Sequence, residues 1–181
     1  MTPVQIYSAH VPRYTSYPTA PHFHGGVDAD QYKAWLAELP PGMPLSLYLH
    51  IPFCDTLCWF CACHTTVVNH YGPVHDYLTW LMREIRLVSQ LLKGRNPVSH
   101  VHFGGGSPTM LAGKDMEQLN LLLRDCFDIV PGAEIAIEID PRGFGHDQAD
   151  ALAACGFTRA SIGVRIAIPR CSRPSTGCRA P

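Results

Sequence analysis

An α/β domain built on a parallel sheet is predicted by three features of this sequence. Four short runs of strand-forming residues lie at 45–51, 99–103, 134–139 and 158–164, and three stretches with a helical apolar period separate them, at about 73–93, 114–127 and 147–155. Strands alternating with helices in this way join parallel strands through right-handed crossovers. The residue types that do chemistry gather where strands end, with cysteines after the first run and glycines after the second. Ligands bind beyond the carboxyl ends of strands in such sheets. A closed eight-unit barrel takes about 250 residues, so the three and a half β-α units in these 181 residues make only part of a barrel.

Taken in order, residues 1–44 form an arm rich in Pro, His and aromatic residues. One short helix is expected in it at 30–39, with Tyr32, Trp35, Leu36 and Leu39 along one face. The body follows at 45–164. Its first strand, 45–51, is stopped by Pro52. The helix at 73–93 opens at Gly72-Pro73, where proline suits the first turn, and Gly94 can close it. Leu78, Leu81, Met82, Ile85, Val88 and Leu92 make its stripe. In the helix at 114–127, Met116, Leu119, Leu123 and Phe127 point inward. The strand at 134–139 alternates Ile135, Ile137 and Ile139 against Glu134, Ala136 and Glu138. The helix at 147–155 ends at Gly156, and the strand at 158–164 is an exposed parallel edge. From Arg165 the character changes: residues 165–181 hold four Arg, three Pro, two Cys and no acid. This segment reads as out-of-frame translation, with a basic tail on a shorter relative as the alternative.

Composition narrows the function classes. A hydrophobic content of 46% with 16% charged residues suits a packed core rather than a disordered chain. The net charge of −1 comes without the basic stripe that nucleic-acid binding needs. No apolar run approaches the ~20 residues of a membrane span, and residues 1–20 show no export signal. Four of the eight cysteines fall within ten residues, which favours a metal over disulfides and implies a reducing, cytoplasmic setting.

Those four define the central motif. Cys54, Cys58 and Cys61 are spaced C-x3-C-x2-C, with Trp59 and Phe60 before the third and Cys63 one residue beyond it. Three thiolates are an incomplete shell for a four-iron cluster, which normally takes four. An open position separates a catalytic metal site from a structural one. The same cysteines with Cys63 as a fourth ligand would make a zinc site. Gly104-Gly105-Gly106-Ser107-Pro108 follows the second strand and would let a ligand approach the backbone, although a glycine run alone is more often a tight turn. Glu138, near the end of the third strand, reads either as a functional charge at a barrel rim or as a capping residue before Asp140-Pro141. Tyr48 by itself is a sheet aromatic, and Cys126 and Cys155 are packing residues.

On these residues the chain resembles the radical S-adenosylmethionine (SAM) superfamily. Within it the wider strings resemble the oxygen-independent coproporphyrinogen III oxidases: YLHIPFCDTLCWFCAC at 48–63, RYTSYPTA at 13–20 and HFGGGSPT at 102–109. The likeness runs from about residue 13 to 164. It implies a partial (β/α)6 barrel, of which this chain supplies little more than half, with the N-terminal arm near the active-site opening. It implies a [4Fe-4S] cluster on Cys54, Cys58 and Cys61, with Cys63 outside the ligand set. It implies SAM held by Tyr48, by Gly105, Gly106 and Ser107 toward the methionine amino group, and by Glu138 at the ribose hydroxyls. A glutamine expected after Val164 is Arg165 instead. The implied activity is radical oxidation: a reduced cluster cleaves SAM, and the resulting radical starts the oxidative decarboxylation of coproporphyrinogen III to protoporphyrinogen IX in haem synthesis. The electron donor is not identified. Two rivals are a haem-trafficking relative, whose kind generally lacks the RYTSYPTA arm and the fourth cysteine, and a gene remnant without function. The chain as written is expected to be inactive.

Overall fold

A computed structural model describes residues 17–163 apart from 59, 60, 62 and 95. The first half of the RYTSYPTA string, the Trp59-Phe60 pair, Val164 and the 165–181 segment therefore lie outside the described residues.

The main sheet has four parallel strands: β1 (Leu45–Ile51), β4 (Pro97–Gly105), β5 (Asp128–Ile139) and β6 (Arg159–Ile162), neighbouring one another in that order. Two short strands, β2 (Phe53–Cys54) and β3 (Thr66–Val67), form a separate parallel pair. Helix α1 (Ala29–Glu38) precedes β1, α2 (Gly72–Leu91) leads to β4, α3 (Gly113–Cys126) links β4 to β5, and α4 (His146–Ala154) links β5 to β6. The predicted parallel α/β class is the one observed.

Strand alternation sorts the sheet into two faces. Leu49, Ile51, Val101, Phe103, Ile135, Ile137 and Ile139 are buried. With them in one core lie Val74, Leu78, Leu81 and Ile85 of α2, Met116, Leu119, Leu122 and Leu123 of α3, and Leu152 of α4. The opposite face carries Tyr48, His102 and Glu138 and is only half covered. Ala136, predicted to alternate outward with the glutamates, is nevertheless buried on that face, being small and flanked by strands on both sides.

Several boundaries differ from the predicted ones. β4 begins at Pro97 and runs through Gly105, two residues past the predicted end, because Gly104 and Gly105 pair with His50 and Ile51. β5 begins at Asp128, and the ladder shifts register between Val98 and His100, where Pro131 and Gly132 (φ 81°) bulge from its partner. Helix α2 ends at Leu91, and Leu92 is already extended, so Gly94 does not cap it. Gly156 does end α4, at φ 78°. On α1 the predicted inward face is not formed: Tyr32 and Trp35 are exposed, and only Leu36 and Leu39 are half-buried. The helix is instead fixed by its cap, Asp28 Oδ1 accepting from the N–H groups of Asp30 and Gln31 at 3.1 and 2.9 Å. All four residues of β6 are exposed, as expected of an edge.

Candidate functional site

The cysteine loop leaves β1 through Pro52 and is closed at its base by backbone bonds, Thr66 N–H to Pro52 O at 2.7 Å and Val68 N–H to Cys54 O at 2.9 Å. Cys54 sits on β2; Cys58 and Cys61 follow in the loop, joined by Cys61 N–H to Cys58 O at 3.1 Å. All three are half-buried, whereas Cys63 is exposed. The Thr65 hydroxyl donates to Cys54 Sγ at 3.4 Å. Burial pushes the Cys54 thiol up; the Thr65 bond opposes this, while Cys61, Cys58 and Asp140 add to it. Cys54 therefore feels both partner sulfurs. Even so, among the described residues no three His, Cys, Asp or Glu side chains converge as a bound metal requires. Two of the predicted ligands have other hydrogen-bond donors: Thr65 on Cys54, and Arg142 Nη2 on Cys58 Sγ at 3.0 Å.

Beside the loop, the carboxyl ends of β1, β4 and β5 bring Tyr48, His102 and Glu138 together. Sheet register does this, since Tyr48 pairs with His102, and Glu138 lies two residues past Ala136, His102's partner on the other side. The rings of Tyr48 and His102 stack at 5.8 Å between centroids and 14° between planes. His102 Nε2 lies 3.3 Å from Glu138 Oε1, and Tyr48 Oη lies 3.0 Å from His50 Nδ1. Burial, then the charges of Glu138 and Cys63, push the Tyr48 phenol up. A Cβ on Gly104 would fall 2.9 Å from Tyr48 Cε2 and 3.2 Å from Glu138 Oε1, so any larger residue there would displace the tips of these two side chains.

The rest of the glycine loop faces the cysteine strand. Gly105 takes φ 122°, and a Cβ there would meet Ile51 O at 2.8 Å. A Cβ on Gly106 would overlap Thr65 Oγ1 and meet Phe53 O at 2.7 Å. The N–H groups of Gly106 and Ser107 donate to Ile51 O at 2.9 Å and Phe53 O at 2.7 Å. The Ser107 hydroxyl is buried and bonds the Thr109 hydroxyl at 3.0 Å. Gly105, Gly106 and Ser107 thus lock the second strand end onto the first, and of the glycines it is Gly104 that touches Tyr48 and Glu138.

Sequence reasoning passed over four residues here. His102 was one of ten scattered histidines; its alternation with Phe103 on the strand that enters the glycines was the available signal. His50 shares the face of Tyr48 and alternates with buried Leu49 and Ile51, and its Nε2 lies 3.0 Å from His64 O. Asp140 and Arg142 follow Glu138 directly in EIDPR, a string weighed only for its glutamate. Cys155 is buried and Cys126 packs against the core, as expected of packing cysteines.

A parallel sheet with a C-x3-C-x2-C loop after its first strand and a glycine-rich second strand end defines a class. The sequence profile described as the radical SAM superfamily matches residues 48–175, and the chain belongs to that superfamily. Among curated proteins it is similar to the oxygen-independent coproporphyrinogen III oxidase of Bradyrhizobium diazoefficiens, 48% identical over 155 residues that cover 86% of this chain and 34% of the relative. The enzyme of the same name from Paracoccus denitrificans is 42% identical, with 88% of this chain and 36% of the relative covered. Among solved structures it resembles the coproporphyrinogen III oxidase of Escherichia coli, described as a radical SAM enzyme, with TM-score 0.77 and 39% identity over 90% of this chain and 36% of that one. The chain spans about a third of the length of these relatives. The profile match passes residue 165, where the sequence changes character. No helix among the described residues is long and apolar enough to cross a membrane.

Proposed function

We propose that this chain carries the cluster-binding and SAM-binding part of an oxygen-independent coproporphyrinogen III oxidase. The observation that carries the reading is the adjacency of two strand ends: the three-cysteine loop after β1 is bonded through Phe53 and Ile51 to the glycine end of β4, beside Tyr48 and Glu138. The donor set fits a four-iron cluster with one iron left open, since Cys54, Cys58 and Cys61 are three sulfur ligands on one loop and Cys63 is exposed. The cradle fits a ligand carrying hydroxyls, since Glu138 is an acceptor at the end of β5 beside the bare backbone of Gly104.

When bound, such a cluster with SAM supplies a one-electron cleavage that yields methionine and a 5′-deoxyadenosyl radical. The protein's residues bind, orient and exclude water. Cys54, Cys58 and Cys61 would hold the cluster, and Glu138, bonded to His102, would accept from the ribose hydroxyls. Tyr48 closes the side of the cradle over Gly104. Gly105, Gly106 and Ser107 set the distance between the cluster loop and the SAM floor through their bonds to β1 and β2. The substrate is coproporphyrinogen III, the products are protoporphyrinogen IX and carbon dioxide, and the electron comes from a cytoplasmic donor.

The test is an anaerobic incubation of the iron-loaded chain with dithionite, SAM and coproporphyrinogen III. Formation of 5′-deoxyadenosine is the result expected of the part proposed here, and a vinyl-bearing porphyrinogen is expected only of a chain extended to the full length of its relatives. Tight haem binding with neither product would move the chain to the haem-trafficking branch.

A further inference from the structure

Asp140 and Arg142 stand just past the end of β5, and Arg142 reaches from there to the cysteine loop. Its Nη2 donates to Cys58 Sγ at 3.0 Å, and its Nε donates to Asp140 Oδ1 and Oδ2 at 2.8 and 3.0 Å. The Arg142 backbone N–H also donates to Asp140 Oδ1, at 3.0 Å, so one carboxylate fixes both the turn and the guanidinium. The two side chains are only 24% and 22% exposed, so water screens the contact weakly. A guanidinium is planar and always charged, and its fork can engage a carboxylate on one edge and another acceptor on the other. Lysine, a point charge on a flexible stem, cannot hold both.

We infer that Arg142, aimed by Asp140, is a positioning residue that hydrogen-bonds the Cys58 sulfur and thereby raises the reduction potential of the cluster held on this loop. The inference rests on the proposed function, which supplies the cluster. Hydrogen bonds to ligand sulfurs are among the factors that set iron–sulfur potentials. The sign follows from charge: reduction adds an electron to the cluster, and a donor with positive charge at a ligand sulfur favours the more negative state. Asp140 offsets much of the distant field of Arg142, so the effect is local to Cys58. The same strand carries Glu138 two residues before Asp140, so β5 places one group against SAM and another against the cluster. The expected change is about tenfold in the ratio of reduced to oxidised cluster, about 59 mV for a one-electron couple.

The experiment is an EPR-monitored titration with dithionite of the iron-loaded chain and its R142M and R142K variants, without SAM, with iron and sulfide counted in each. Wild-type iron content is expected in both variants. At a fixed poise R142M should hold about tenfold less reduced relative to oxidised cluster, a midpoint lower by ~59 mV, with R142K between it and the wild type. Unchanged midpoints in both would overturn the inference. So would a fall in iron content with the surviving cluster at the wild-type midpoint, since Arg142 would then only brace the loop. R142K retains the charge and keeps the comparison readable where R142M loses its iron. A wild-type chain that takes up no iron would instead sink the proposed function, and the inference with it.

Discussion

The carboxyl edge of the sheet and the cysteine loop beside it are held by different means. At the sheet edge, Tyr48, His102, Gly104 and Glu138 are placed by ladder register, with Tyr48 stacked on His102 and His102 bonded to Glu138. In the loop, among the described residues, backbone bonds tie the base and join Cys61 to Cys58, and side-chain bonds from Thr65 and Arg142 reach Cys54 and Cys58. Backbone pairing fixes position through covalent geometry repeated along a strand, and it operates before anything binds. Sulfur ligands have no comparable mutual attraction, and metal binding is what gathers deprotonated ligands. Under the proposed function, the side assigned to SAM is set by sheet register, and the side assigned to the cluster is set by the base of the cysteine loop.

Substitutions separate the two regions. The largest effect is expected from replacing any of Cys54, Cys58 or Cys61 with serine: complete loss of bound iron after anaerobic loading, with stability within about 0.5 kcal/mol of wild type, as for changes outside the core. C63S should retain its iron, and loss of metal in C63S would point to zinc. Next is Gly106→Ala, whose Cβ would clash with backbone at Phe53 O, 2.7 Å away. Overpacking of this kind costs about 1–3 kcal/mol, which thermal unfolding would register at roughly 2–4 °C per kcal/mol for a chain of this size. A Tm equal to wild type would mean that the strand ends are not locked as described.

Glu138→Gln tests the side assigned to SAM alone. Exchanging a charged acceptor for the neutral amide oxygen of glutamine, a difference of about 1–1.5 kcal/mol, should weaken SAM binding roughly tenfold by calorimetry, with unchanged Tm and iron content. Equal affinity would return Glu138 to the role of a strand-end residue before Asp140-Pro141.

The smallest effect concerns the helices behind the sheet. The Tyr71 hydroxyl donates to Asp115 and accepts from the Ala112 N–H at 3.0 Å, joining the start of α2 to the start of α3. Burial, then the Asp115 bond, push its phenol from 10.0 up to about 12. The folded state thus keeps the proton after the unfolded chain has lost it. Stability from this group is full below pH 10 and declines as pH rises toward about 12. Urea midpoints between pH 10 and 12 should fall in the wild type and fall less in Tyr71→Phe; parallel curves would contradict the assignment.

Much of this was legible in the sequence, for identifiable reasons. Apolar periodicity located α2, α3 and α4 because each buries one stripe, and the isoleucines of β5 declared its inner face. Cysteine spacing is local, so the loop could be read directly. The extension of β4 into the glycines could not, because pairing of Gly104 and Gly105 with β1 overrides their poor strand propensity. The contacts of His102, Thr65 and Arg142 were equally hidden: each joins residues far apart in the chain, 36, 11 and 84 positions respectively, and only sheet register and loop closure bring them together. The outward aromatics of α1 misled in the other direction, since a helical period shows which face is apolar but not whether anything covers it.

The central claim is that one site joins a three-cysteine cluster to a SAM cradle set by sheet register. The most direct measurement is the EPR spectrum of the iron-loaded, dithionite-reduced chain before and after SAM is added. A reduced four-iron signal that changes shape with SAM, persists in C63S and is absent in C54S is the expected result. A chain that takes up zinc through all four cysteines, or a cluster signal indifferent to SAM, would contradict it.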